Sequence, residues 1–417
     1  MEIRVDMKGI MKFDFLKQYT ELEYLQARVS DLDEVDSNLN DRQRIMKLKS
    51  FDGLPFTFSK LKKLHLYGFA ISKELFESFP DSLAYLYMKD CIPLDKEQYD
   101  SGLGPGLLKF PTGLQSFKFE STNETRYKYP IISNTKDLIS LQTVDIDTND
   151  GKVLMPISTE PTRTIPESFL RSLPDTVQTF KLRSTLDGCE YDWNTLNFRP
   201  LKNTRTLILN FDFLMRRNSI IEKFNLSTIP SKLTYLKLHF AAKKYVGKLK
   251  APELRELYLD LGDLAKEEIC SCANRIIGEL KNLTKLTLAV SERNFIKKRL
   301  DLRKFQFGQL TELALELMDI KLSLVFIVIP NELPITFTRF PLFFVENEPD
   351  IYESFFNQQS AGATGPVEHQ VNIVVDNIEK LSPSVKNCQI TASKGEWVRF
   401  AQLSMLEQFG SIIDKLQ

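Results

Sequence analysis

The chain has little of what catalysis, metal binding or secretion requires. Its 417 residues hold only three histidines, two tryptophans and five cysteines. His65, His239 and His369 fall at no metal-ligand spacing, and no H-E-x-x-H pair occurs. An odd, scattered cysteine set builds no disulfide framework, which excludes the small secreted scaffolds that depend on one. Cys270 and Cys272 look like half of a metal site, but no C-x-x-C partner follows. On a helix the two thiols point apart, so they read as small core residues. Phosphate-binding and acyl-transfer loops are missing as well: there is no G-x-x-x-x-G-K-S/T, no G-x-G-x-x-G and no G-x-S-x-G. The cluster Gly102, Gly104 and Gly106 contains Pro105, which removes a donor that a phosphate cradle needs. Charge of one sign is lacking too. Lysine plus arginine and aspartate plus glutamate both count 55, whereas a nucleic-acid surface calls for a basic excess. The longest apolar run, residues 322–330, is far short of the roughly 20 residues of a membrane helix. The opening MEIRVDMKGIMKFDF places charges where a signal peptide needs its apolar core, so the sequons at Asn123, Asn225 and Asn282 carry no meaning. These absences point to a reduced, soluble, cytoplasmic or nuclear protein that is not an enzyme. They call for no cofactor, metal, nucleic acid or membrane.

Repetition is what the chain does have. Leu83, Leu86 and Met88 follow the order L-x-x-L-x-L and lead to Cys91 and Leu94. Leu86 and Met88 alternate with Tyr87, as the inward positions of a half-buried strand do. The same triplet recurs at Leu61/Leu64/Leu66, Leu114/Phe117/Phe119, Leu141/Val144/Ile146, Val177/Phe180/Leu182 and Thr204/Leu207/Leu209. It continues at Leu233/Leu236/Leu238, Leu254/Leu257/Leu259, Leu283/Leu286/Leu288 and Leu310/Leu313/Leu315. Weaker copies stand at Leu22/Leu25/Ala27, Phe337/Phe340/Leu342 and Val385/Cys388/Ile390. Three residues past each triplet stand small polar or thiol residues suited to bonding turn backbone: Ser30, Cys91, Thr122, Asn149, Thr185, Asp212, Ser291 and Ser393. Phe69, Ala241, Gly262 and Met318 break that column. A second mark precedes the strands. Phe79-Pro80, Phe110-Pro111, Leu173-Pro174, Ile229-Pro230 and Leu333-Pro334 each place the apolar residue of the pair four positions, and the proline three, before the triplet. Proline there ends the preceding element and fixes the entry into the turn.

This phrase, Φ-P-x-x-L-x-x-L-x-L at irregular spacing, resembles the leucine-rich-repeat proteins of yeasts and other fungi, and it looks like the FNIP-type repeats. The likeness covers residues 50–345 well and both ends poorly. It implies an α/β leucine-rich-repeat solenoid, with a curved parallel sheet on the concave face and short helices and loops on the convex face. Many fungal relatives carry an F-box before such repeats and use it to bind a Skp1-type adaptor of a cullin-type ubiquitin ligase. No F-box is found here, and no tryptophan precedes Trp193. The chain either lacks one or is a piece that such a segment precedes.

Read in order, residues 1–50 form an N-terminal cap or degenerate first repeat, and 51–345 are the repeats. Irregular C-terminal repeats with a flexible loop at 357–366 follow over 346–392. A capping helix over 393–417 opens on Ser393 with Glu396 three residues on. Helices are expected over 72–79 with Ser72 as cap, over 166–173 with Pro166 in the first turn, and over 218–224. The longest is expected over 263–280, with Asp263 as cap, Ile269, Ala273, Ile276 and Ile277 facing inward, and Gly278 near its end.

What remains for function is the face between the buried positions. Its centre column reads His65, Tyr87, Lys118, Asp145, Lys181, Ile208, Lys237, Tyr258, Thr287 and Ala314. Two groupings stand out as candidate partner-binding residues. One is aromatic, with His65, Tyr67, Tyr85 and Tyr87. The other is basic and aromatic, with Lys181, Arg183, Tyr235, Lys237, His239 and Tyr258. Tyrosine and arginine are enriched at binding hot spots because they bury area rigidly and keep polar tips, although tyrosine also simply favours strands. The expected function is a non-catalytic protein-interaction scaffold with its partner on the concave sheet; the alternatives are a substrate receptor of a cullin-type ubiquitin ligase, which the resemblance implies, and an enzyme of unknown type. The middle patch is the expected anchor.

Overall fold

The computed structural model describes residues 1–7, 18–29, 58–72, 76–89, 91–94, 107–121, 131–132, 134–149, 167–186, 197–213, 221–240, 242–262, 264, 268–291, 299–301, 310–318, 324–328, 335–339 and 372–376. The chain forms two compact units. One is Met1–Phe240 with Val246–Leu254, the other Ala241–Tyr245 with Arg255–Gln417.

The first unit is built on a parallel sheet. Its strands are β1 (Glu2–Met7), β2 (Tyr24–Val29), β3 (Lys63–Tyr67), β4 (Tyr85–Lys89), β5 (Ser116–Ser121), β6 (Thr143–Asn149), β7 (Thr179–Leu186), β8 (Thr206–Phe213) and β9 (Tyr235–His239). Each strand pairs with its neighbours in sequence. The second and third members of the triplets line up strand to strand. Leu25, Leu64, Leu86, Phe117, Val144, Phe180, Leu207 and Leu236 make one row, and Ala27, Leu66, Met88, Phe119, Ile146, Leu182, Leu209 and Leu238 the next. No member of either row is more than 5% exposed. At about 1.5–3 kcal/mol per buried large apolar side chain, these rows are a large part of what stabilises the unit.

In most repeats the leading residue closes the turn that feeds its strand. The N–H of Leu83, Leu114 and Val177 donates to the carbonyl of Pro80, Pro111 and Pro174 at 2.9–3.2 Å. Proline suits that first turn position because only its carbonyl is used there. Phe58, Leu138, Leu201, Ala251 and Leu280 accept the same bond without proline. The next two N–H groups then share one carbonyl of the preceding repeat, as Ala84 and Tyr85 share Lys62 O, and Gln115 and Ser116 share Ala84 O. Register is therefore set by the turn before any strand pairing begins. Phenylalanines fill the space beside the rows: Phe76 packs on Phe79 and Phe110, and Phe110 on Phe117, with ring centroids 4.9–5.2 Å apart. Asn134, buried, joins repeats through its amide, which accepts from Phe110 N (2.9 Å) and donates to Phe110 O (2.8 Å).

The second unit repeats the plan with β10 (Glu256–Asp260), β11 (Lys285–Ser291), β12 (Glu312–Met318) and β13 (Ile335–Arg339), all parallel. A separate parallel group joins Arg299–Asp301, Leu324–Val328 and Asn372–Asp376. The helix α1 (Glu167–Ser172) of the first unit lies where the proline at 166 predicts. The helix α2 (Ile269–Ile277) of the second buries Ile269, Ala273, Ile276 and Ile277 and ends on Gly278, as the sequence predicts. Among the described residues, no helix is long and apolar enough to cross a membrane.

Several expectations fail. Ser72 ends the strand Ala70–Ser72, which pairs in parallel with Ile92–Leu94. Phe76 and Glu77 are helical, and residues 73–75 lie outside the described residues. Of the helix expected over 218–224, the described part, residues 221–224, is not helical. Phe224 lies in a short strand with its ring 4.9 Å from Phe240. The 263–280 helix begins at Ile269, with Glu268 at its N-cap position. The turn column holds at Cys91, whose thiol donates to Leu66 O at 3.3 Å and Lys89 O at 3.4 Å. At Asn149 and Ser291 the strand ends on the column residue, whereas at Thr185 and Asp212 it continues one residue further. The copy at Phe337/Phe340/Leu342 is out of register. Ile335 pairs with Leu313 and Phe337 with Leu315, and the strand stops at Arg339, before Pro341. The 357–366 loop, the Val385/Cys388/Ile390 copy and the helix from Ser393 lie outside the described residues.

Candidate functional site

Alternation in each strand sends every second side chain to the side opposite the apolar rows. In β3 and β4 the burial alternates strictly, so His65, Tyr67, Tyr85, Tyr87 and Lys89 are half-buried on that face while Leu64, Leu66, Leu86 and Met88 are buried. The register carries this face from strand to strand. Gln26, His65, Tyr87, Lys118, Asp145, Lys181, Ile208 and Lys237 form one centre column through the first unit, and Arg4 of β1 continues it.

At the N-terminal end the rings form a cluster around His65. Its centroid lies 5.0 Å from Tyr24, 5.4 Å from both Tyr85 and Tyr87, and 6.4 Å from Tyr67. Most contacts are edge-to-face, the arrangement favoured by ring quadrupoles. The Tyr24 hydroxyl lies 3.1 Å from His65 Nδ1 and donates to Gln26 Oε1 at 2.9 Å. Burial, and then the positive charges of Lys63, Arg4 and Lys118, push His65 down to about 4, so the ring is neutral near pH 7.

Next to the rings lies a carboxylate held from three sides. Glu120 accepts from the Tyr87 hydroxyl at 2.5 Å and from Lys89 at 2.7 Å, with Lys118 at 3.3 Å. Burial alone would raise its pKa, but these hydrogen bonds and charges hold it at about 2. Burial and the bond to Glu120 push the Tyr87 phenol well above its ordinary range. Lys118 also sits 4.5 Å from the centre of the Tyr87 ring, within cation–π range. On β6, Asp145 and Asp147 both meet Arg183 of β7, at 3.2 and 3.5 Å. Burial raises Asp147 against the pull of Arg183.

The sequence-predicted residues thus fall into distinct settings. Tyr85 and Tyr87 sit in the aromatic cluster. Lys181, Tyr235, Lys237 and His239 lie half-buried on the same face of the first unit, as does Arg183 with its two aspartates. Tyr258 differs. It belongs to the second unit, is 7% exposed, and donates from its hydroxyl to the buried Glu316 at 2.7 Å. Its neighbours on that face, Asp260, Ala289 and Ala314, are buried as well. The face that is open in the first unit is therefore shut off from water at these positions of the second, and Tyr258 offers no docking area. Sequence reasoning missed Tyr24, which stands in the column of Lys63 and Tyr85, and Arg4, whose strand carries no leucine triplet. The alternation of Ile3 and Val5 was the available signal for β1. Cys272 is buried with Arg275 Nη2 at 3.8 Å. Among the described residues, no group of three metal-binding side chains comes together.

Repeated L-x-x-L-x-L triplets laid side by side as a parallel ladder define the leucine-rich-repeat fold of the α/β class. No family model and no curated protein matches the sequence. Among solved structures, 12 chains match. One is the crystal structure of an internalin from Listeria monocytogenes, 13% identical, with TM-score 0.36, covering 77% of this chain and 82% of that one.

Proposed function

We propose that the chain is a non-catalytic scaffold that binds a partner protein on the open sheet face of its first unit. The observation that carries this reading is the face itself. Tyrosines and charged side chains occupy consecutive strands in fixed register, half-exposed, over a buried apolar core. Rigid, amphipathic side chains lose little entropy on binding and supply most of the energy of protein interfaces. Tyr85, Tyr87, Lys181, Arg183, Tyr235, Lys237 and His239 are the contacting residues. The Φ-P phrase before the strands supports a kinship with fungal, FNIP-like repeats.

The test is partner capture with the wild type and with Lys181→Glu plus Lys237→Glu. Both lysines lie in the centre column, away from the core, so the fold should survive, with stability changed by no more than about 0.5 kcal/mol per site. Partner recovery should drop in the folded double variant. Unchanged recovery would contradict the reading. Recovery of a Skp1-type adaptor bound elsewhere on the chain would make it a substrate receptor instead.

A further inference from the structure

Charge on the open face is unevenly spent. Each carboxylate of β5 and β6 is engaged within the sheet: Glu120 by Tyr87, Lys89 and Lys118, and Asp145 and Asp147 by Arg183. Arg4, Lys63 and Lys181, by contrast, make no ion pair among the described residues. Arg4 and Lys63 are exposed and Lys181 half-exposed. The Tyr85 hydroxyl, beside His65, likewise makes no hydrogen bond among the described residues. Against these three cations the same face leaves one exposed carboxylate without an ion pair among the described residues, Glu2 of β1, in register with Tyr24 and Lys63. The binding capacity left over is thus cationic in balance, with one phenol, arranged around an aromatic floor. The depressed pKa of His65, lowered by Lys63, Arg4 and Lys118 after burial, reports the same positive field.

We infer that this face docks an acidic, extended segment of the partner protein, with carboxylates on Arg4, Lys63 and Lys181 and an apolar side chain on the rings around His65. The inference rests on the reading of the first-unit face as a binding surface. Six strand spacings separate β1 from β7, about 29 Å, which roughly nine extended residues span. A charged rim around an aromatic centre is also how protein interfaces divide their labour, charge setting specificity and rings setting affinity. A nucleic acid fits less well. Its continuous phosphate backbone would have to pass Glu120, Asp145 and Asp147, and Lys118 already covers one face of Tyr87.

A display library of random peptides of about 12 residues, long enough to cross the face, tests this on the folded full chain. Selected peptides should be rich in Asp and Glu around at least one aromatic or aliphatic residue. Their binding should weaken with salt, and the folded triple variant Arg4→Ser, Lys63→Ser, Lys181→Ser should weaken it by about tenfold or more. Three results overturn the inference: no peptide selected, selected peptides without acidic bias, or acidic peptides that bind the triple variant equally well. Tighter binding of a single-stranded oligonucleotide than of any selected peptide overturns it too. Neutral peptides that lose affinity on Tyr85→Ala would remove the acidic partner yet leave the face as the binding surface. Peptides that crosslink only away from the face would remove both.

Discussion

Truncating Leu236 to alanine tests how the stack carries its stability. Leu236 is fully buried in β9, in register with Leu207 of β8, and shares its repeat with the buried Leu233 and Leu238. Three carbon groups are removed, which at about 0.8 kcal/mol each costs about 2.4 kcal/mol of transfer free energy. The strands on the row cannot close over the gap without breaking register, so a cavity cost adds to this. The expected total is about 3–4 kcal/mol, within the range of about 2–5 kcal/mol for such truncations. Urea unfolding followed by circular dichroism measures it. Because each repeat is stabilised by its neighbours, hydrogen exchange should quicken most in β8 and β9 and least in β1 to β3. A loss below about 1 kcal/mol, or exchange that rises uniformly through the first unit, would refute this picture of packing.

Gly113→Ala should destabilise the first unit by about 1–3 kcal/mol, read as a lower Tm, because a Cβ there would lie 2.0 Å from the Asp81 carbonyl oxygen. His65, neutral in the fold with a pKa near 4, takes up a proton in the unfolded chain around its ordinary 6.5. The unfolded state binds more protons between these values, so stability should fall as pH drops from about 6.5 to 4, and His65→Gln should flatten that slope. Glu120 is held at about 2 against an ordinary 4.5. Its contribution is present above pH 4.5 and lost as pH falls toward 2, so the urea midpoints of wild type and Glu120→Gln should differ at pH 7 and converge near pH 2.

The repeat plan was legible because burial enforces it. Every triplet from Leu61 to Leu315 placed its second and third residues in a parallel strand, and a slip by one residue would have turned Leu64 and Leu66 out to water. The face columns followed from the same alternation. Local signals fared worse where pairing competed with them. The pairing of Ala70–Ser72 with Ile92–Leu94 joins segments some 20 residues apart, which no short window reveals. Phe337 belonged to the expected repeat but in the wrong register, because the apolar density around it offers several alternations. The ion pairs that sort the face were beyond sequence. Arg183 reaches Asp145 across a 38-residue separation, whereas Lys181, two residues away, makes no such pair among the described residues. Tyr258 holds the same place in its triplet as Tyr87 does in its own, and only burial separates the covered tyrosine from the half-buried one.

The most direct test of the open face as the binding surface is site-specific photocrosslinking. A photoreactive phenylalanine analogue replaces Tyr85, inside the aromatic cluster, and in a separate protein Lys202, which is exposed on the turn before β8. In cell extract the probe at position 85 should yield a discrete crosslinked partner whose yield falls when Lys181→Glu and Lys237→Glu are added. The probe at position 202 should not. Crosslinking to that partner from position 202 and not from 85, in folded proteins, would contradict the account.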